Sequence, residues 1–329
     1  MAGPAHQTFY QQQARNRRES IALVVILCLI LGTLGSLIGF AVAGNISGVY
    51  YALPIAIGLS LLLSAGAWFG GDGLVLAASQ AHEVSDADQP QLLNVVRELS
   101  IAANIPPPRV YVIDDSAPNA FATGRDPRHA SVAITTGLLA KLDREELQGV
   151  IGHELSHVRN YDTRFTLLVA VLVGSIALLA DFFLRFSFLG GTGSRRSRDD
   201  NQSAGLATLI MMLALVAAVL APFFARLVQL AVSRQREYLA DASSVELTRD
   251  PVGLERALAS IAADQEPLEV ANRATQHLYI VNPLKKLGGG SSNLFSTHPA
   301  IADRISRLRA LSGEAPLDAA AVKALSGLD

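Results

Sequence analysis

Between Ile21 and Gly71 the chain carries no Asp, Glu, Lys or Arg. That run is long enough for two spans of about 20 residues each. The turn residues Asn45-Ile46-Ser47-Gly48 divide it, so the pattern predicts a helical hairpin. A second uncharged pair, Phe165 to about Ala180 and Leu206 to Ala225, flanks a Gly-, Ser-, Arg- and Asp-rich connection from about Gly190 to Ala204. The first member of that pair is short for a full crossing. Elsewhere the apolar residues take the periods of folded elements. Leu147, Val150, Ile151, Leu155 and Val158 fall at helical spacing, and Asp143 with Glu146 has the form of a capping box, predicting a helix from Asp143 to about Asn160. A helix is also expected from about Pro90 to Ser100. Pro106-Pro107-Pro108 then breaks the chain before a short strand, Val110-Tyr111-Val112-Ile113. Phe121 and Ser131-Val132-Ala133-Ile134 mark two further short strands, and Val252–Ala263 and Ile301–Leu311 read as helices. The fold class is therefore α+β, mainly helical, in a multi-pass membrane protein with a small sheet beside the capped helix.

Composition agrees with the membrane reading. Half of the 329 residues are hydrophobic and 17% are charged, and the mean hydropathy is +0.32, too apolar for an ordinary soluble domain. The net charge of −2 gives nucleic acid no purchase as a partner. Basic residues beside the spans are explained by the lipid bilayer and by topology. The single cysteine, Cys28, excludes an intramolecular disulfide. Arg15, Arg17 and Arg18 have the form of a signal n-region, but the apolar run after them is too long and is followed at once by another, which favours a retained anchor. These arginines belong in the cytoplasm. If both hairpin helices cross, His82–Asn160 is cytoplasmic as well.

Within the capped helix stands His153-Glu154-Leu155-Ser156-His157. Residues four apart share a helix face, so both imidazoles can reach one metal ion while Glu154 points at water held there. That is zinc-hydrolase geometry. Zinc bound by two histidines usually takes a third protein ligand and leaves the fourth position open. Glu237, on a second predicted helix, is the candidate. Asp241, four residues on, is placed to accept the ring N–H of a ligand histidine and fix its tautomer. The same metal must be reached from both sides of the second apolar pair, so the number of crossings between His157 and Glu237 is even, two or none. Two crossings put Arg195, Arg196 and Arg198 outside, against the positive-inside tendency. None would make the pair a hairpin lying shallowly or packed on the catalytic domain.

Taken together, these motifs resemble the membrane-bound zinc endopeptidases of the HtpX type, relatives of the prenyl-protein CAAX endopeptidases. The resemblance runs from about Ile21 to about Leu308 and extends to Asn119-Ala120-Phe121-Ala122-Thr123-Gly124 and to Thr297-His298-Pro299 followed by Arg304-Ile305. It implies a zincin-like catalytic domain and an extended substrate added as a strand to the edge at Asn119, Ala120 and Phe121. It also implies an oxyanion-stabilising role for His298, with Arg304 orienting that histidine or pairing with an acid. From the residues alone, Asn119 after Pro118 is equally a turn residue. Likewise, His298 before Pro299 can simply precede a helix start. Gly288-Gly289-Gly290-Ser291-Ser292 reads as a mobile linker rather than a phosphate loop, for which the strand-turn-helix setting is missing.

The expected organisation is a cytoplasmic segment (1–20), a transmembrane hairpin (21–71), the first part of the catalytic domain (72–164), a second hydrophobic hairpin (165–228) and the second catalytic part (229–329). The expected function is a zinc-dependent endopeptidase of the inner cell membrane facing the cytoplasm, with one Zn2+ per chain. Glu154 is its general base and His153, His157 and Glu237 are its ligands. The resemblance implies membrane-protein or peptide substrates in quality control. A CAAX-type processing protease for lipidated peptides and an idle scaffold keeping zinc for structure are the competing readings. The scaffold would need a fourth protein ligand closing the site, and no Cys lies near to supply one.

Overall fold

The computed structural model describes residues 9–190, 201–264, 266, 268, 279–280, 299–315 and 317–318; the Gly288–Ser292 stretch and His298 lie outside the described residues. In chain order the elements are α1 (Phe9–Ala43), α2 (Ser47–Ala78), β1 (His82–Glu83), α3 (Pro90–Ala103), β2 (Arg109–Ile113), β3 (Ala120–Gly124), β4 (Ala130–Thr135), α4 (Thr136–Lys141), α5 (Arg144–Arg159), α6 (Asp162–Gly190), α7 (Asn201–Thr248), α8 (Pro251–Ala263) and α9 (Ile301–Ser312). They fall into two compact units. One comprises Met1–Asn16, Phe69–Thr166 and Ser233–Asp329, the other Arg17–Trp68 and Leu167–Val232.

In the first unit the sheet runs β1-β2-β4-β3, with β2 parallel to β4 and both outer pairings antiparallel. The strand sequences lack a polar alternation because both faces are covered. Val110, Val112, Ala120, Ala122, Val132 and Ile134 pack into one core together with α3, α5 and α8. Tyr111, Ile113, Phe121 and Ala133, at the intervening positions, pack into a second with Leu76 and Tyr279. Helix α5 thus lies against the sheet. Two glycines let other helices close on it. A Cβ at Gly149 would stand 2.7 Å from the Leu254 backbone of α8, and one at Gly152 would meet Ser244 Oγ of α7 at 2.7 Å. Ser244 Oγ donates 2.7 Å to the Gly149 carbonyl, which fixes the end of α7 alongside α5.

The second unit is built inside out. Large apolar side chains such as Leu61, Phe182 and Leu209 are well exposed, whereas Ala214, Ala218, Ala221 and Ala225 are buried along one stripe of α7. Small residues let helices approach where lipid, not water, is the outer solvent. At the α1–α2 turn the approach is closest: a Cβ on either Gly39 or Gly48 would run into the other's carbonyl. Three stretches among the described residues are long and apolar enough to cross a membrane, Ile21–Ala43, Leu168–Arg185 and Thr208–Val228. The sequence pattern suggested four; the remaining one, in α2, contributes the shorter apolar stretch Ser47–Leu62.

Other departures are local. The short third apolar run belongs to a 29-residue helix, because α6 starts earlier and continues later than its uncharged core. No element boundary separates the fourth run from Glu237, since α7 is one 48-residue helix carrying Pro222 in its interior. The strand β1 was not expected, because two residues, His82 and Glu83, carry no periodic signal.

Candidate metal centre

The active-site helix begins where the capping box was expected. Asp143 Oδ1 accepts from the Glu146 N–H at 2.8 Å, and Glu146 Oε2 accepts from the Asp143 N–H at 3.0 Å. Its apolar positions, among them Ile151 and Leu155, are wholly buried, so the polar pair His153 and His157 is carried on a support fixed from below. The two rings meet edge to face, with centroids 4.7 Å apart. Their Nε2 atoms are 3.2 Å from each other. Glu237, delivered by α7, places Oε2 3.5 Å from His153 Nε2 and Oε1 3.6 Å from His157 Nε2. Ligand atoms of all three residues lie within 4.8 Å of one another.

Each histidine has its other nitrogen spoken for. His153 Nδ1 is 2.9 Å from Asp241 Oδ1 and His157 Nδ1 is 3.1 Å from Asp162 Oδ2. A carboxylate accepts only, so each Nδ1 carries the hydrogen and each neutral ring aims the Nε2 lone pair at the shared point. Two facing lone pairs beside a carboxylate repel one another unless a cation lies between them. The donor set therefore fits a metal ion. Without one, burial would lower the basicity of His153, but Asp241 and Glu237 outweigh it and raise the ring to about 9; a metal would have to displace that proton.

Behind Asp241 stands Arg304 of α9, fully buried. Its Nη2 and Nε donate to the two Asp241 oxygens at 2.6 and 2.9 Å, and its Nη1 is 3.6 Å from Glu237 Oε2. Nη2 also lies 3.3 Å from His153 Nδ1. Both are donors, so the shared carboxylate makes the bond. Burial alone would raise the Asp241 carboxyl, but Arg304 and His153 hold it below the usual carboxylate range. Of the two partners expected for Arg304, the structure supplies the acid.

Glu154, on the same helix, stays clear of the ligand cluster. It is almost fully buried, and burial pushes its carboxyl up against the pull of the two histidines, with the nearby Ala122 backbone N–H favouring the charged form. β3 is an edge strand of the sheet, where the resemblance placed strand addition, and the side chains of Asn119, Ala120 and Phe121 are buried. Asn119 Oδ1 accepts from the Ala120 N–H at 3.1 Å, and Phe121 packs edge to face on Tyr279. The outward carbonyl of Ala120 accepts from the Ile280 N–H at 2.9 Å, and Arg304 Nη1 donates to the Ile280 carbonyl at 3.1 Å.

Asp162, Arg236 and Ile280 were missed in the sequence. Asp162 falls five residues after His157, where a continuing helix would put it about 140° round the axis. Instead α5 ends and Tyr161 takes a left-handed φ of 60°, which turns Asp162 back under the histidine. The sequence signal was a lone acid between the motif and the apolar run.

The family described as Peptidase family M48 matches residues 86–312. The chain is 43% identical over 300 residues to a protease HtpX homolog of Lactobacillus helveticus, spanning 91% of this chain and 98% of that one. It is 44% identical over 302 residues to one of Dictyoglomus thermophilum, spanning 92% and 94%, and 42% identical over 300 residues to one of Streptococcus uberis, spanning 91% and 99%. No solved structure matches the chain.

Proposed function

The chain belongs to peptidase family M48 and is a membrane-anchored metalloprotease; we propose that its metal is zinc, one ion per chain, and that it cuts within extended polypeptides. The observation that carries this reading is the pair of Nε2 atoms 3.2 Å apart with both Nδ1 atoms bound to carboxylates. Two nitrogens about 2.0–2.1 Å from a tetrahedral zinc lie about 3.3 Å apart. Zinc supplies Lewis acidity, polarising a carbonyl and lowering the pKa of water at the site toward about 7.

The rest falls to the chain. Glu154, whose burial makes it a stronger base than an exposed carboxylate, takes the proton from water on its carboxylate and returns it to the leaving amine. His153, His157 and Glu237 hold the metal, and the burial of Glu154 keeps bulk water from competing for its proton. The backbone of β3 past Ala120 receives an extended substrate by strand addition. An unfolded or partly unfolded membrane protein supplies such a strand where a folded one does not, which supports quality control over the processing of lipidated tails. With α2, 32 residues long, returning the chain across the membrane, Arg15, Arg17 and Arg18 ahead of the first span support a site facing the cytoplasm of the inner membrane. Both helices between His157 and Glu237 qualify as spans, an even number. Cysteines at the exposed positions Ser85 and Glu314, in a Cys28→Ser chain, are expected to label from the cytoplasmic side alone.

The deciding experiment compares wild type with Glu154→Gln, by metal analysis and by cleavage of a reporter membrane protein. The variant is expected to keep stoichiometric zinc and to lose at least about a hundredfold in turnover. Loss of zinc in it would mean that Glu154 is a ligand and the base is elsewhere.

A further inference from the structure

The two histidines are oriented by different parts of the chain, and the support behind His157 belongs to neither motif. Asp162 is the first residue of α6 and Arg236 lies late in α7, 74 residues apart. Asp162 divides its carboxylate: Oδ2 is 3.1 Å from His157 Nδ1 and Oδ1 is 3.1 Å from Arg236 Nη1. The same Nη1 donates 3.3 Å to the Asp162 backbone carbonyl. The guanidinium lies over the Phe165 ring, 3.9 Å from its centroid. Both side chains are about nine-tenths buried.

We propose that Asp162 and Arg236 are positioning residues for the second metal ligand, acting in series: Arg236 fixes the rotation of the Asp162 carboxylate, and Asp162 fixes the tautomer and plane of the His157 ring. The proposal rests on the zinc reading of the site. A pair that only tied two helices together would need its two charges and nothing else. Here the third leg reaches a ligand. The chain also spends a left-handed residue at Tyr161, about 1–2 kcal/mol for a non-glycine, to bring Asp162 within reach. An imidazole whose Nδ1 has no acceptor populates both tautomers, and only one presents its Nε2 lone pair to a metal. With Asp162 in place, the ring is committed before the metal arrives.

The test uses the full chain in detergent. Zn2+ affinity is read by competition with a chromophoric chelator, ligand geometry by the visible spectrum of the Co2+-substituted protein, and folding by a thermal melt of the metal-free form. Asp162→Asn, which keeps the shape and loses the charge, is expected to weaken Zn2+ binding about 10–100-fold and to shift the Co2+ bands. Arg236→Gln is expected to weaken binding severalfold in an otherwise wild-type chain and to add nothing in the Asp162→Asn background. An unchanged affinity and spectrum in Asp162→Asn, or additive losses in the double variant, overturn the proposal. If Asp162→Asn cannot be recovered folded, Arg236→Gln decides alone, and wild-type affinity in it is fatal. A wild type that binds no more Zn2+ than His153→Ala would instead overturn the zinc reading itself.

Discussion

Leu155 and Leu209 are the same residue in two solvents. Leu155, on the active-site helix, has no exposed surface, while Leu209, on α7, is 62% exposed. In the catalytic unit apolar side chains point in, and among the buried polar ones His153, Glu237, Asp241 and Arg304 are partnered with one another. In the hydrophobic unit large apolar groups point out and small ones in. The difference teaches which rule of burial governs each stretch. Water sorts the first unit by polarity, whereas lipid removes that sorting and leaves packing size to decide.

The largest effects are expected where the first unit breaks its own rule. Glu237→Ala removes one of the three clustered side chains proposed to hold the metal and is expected to abolish metal binding and cleavage together, read by metal analysis and a reporter digest. Survival of stoichiometric metal would reopen the search for the third ligand. Next is Arg304→Met, which leaves Asp241 and Glu237 buried without their cation; about 3–5 kcal/mol of unfolding stability should be lost, by denaturant titration. A loss under about 1 kcal/mol would show that the cluster is hydrated rather than dry. The leucine pair then tests the comparison itself. Leu155→Ala is expected to cost about 2–5 kcal/mol through the cavity it leaves, and Leu209→Ala almost nothing in detergent. Equal costs would place Leu209 in a protein core. The reverse exchange inverts the order: Val219→Lys, near the middle of Thr208–Val228 and well exposed, is expected to cost about 2.5–3.5 kcal/mol in membrane insertion, while Ile101→Lys, at a highly exposed apolar residue of the catalytic unit, should stay within about 0.5 kcal/mol.

This contrast also explains how much of the molecule was legible. Uncharged runs announce lipid directly, and the capped, periodic Asp143–Asn160 stretch announced its helix almost to the residue, because both signals are local. Three strands were found from short apolar runs, but their two-sided burial came from α5 on one face and Tyr279 on the other, contacts too distant in sequence to read. The clustering of His153 and His157 was visible because helical spacing brings them together. Glu237 was found because the same spacing links it to Asp241. Asp162 and Arg236 follow no spacing rule: a left-handed turn places one and the return of a 48-residue helix places the other. The strand Ala120–Gly124 lies at the sheet edge, where the resemblance put a substrate-binding strand, and its side chains are buried. An edge is defined by unpaired backbone and says nothing about the direction of the side chains, which here fill both cores.

The hydrogen bond from Ile280 to Ala120 bears on the protein's behaviour in a crowded cell. A sheet edge left open is a template on which a strand from another molecule can grow. Here the chain covers the start of that edge with its own backbone, and Arg304 grips the covering residue by its carbonyl. A chain cut short before Tyr279 therefore loses the arginine that steadies the ligands and the plug on the sheet in the same stroke. Inactivation by truncation and a tendency to self-associate are expected as one event.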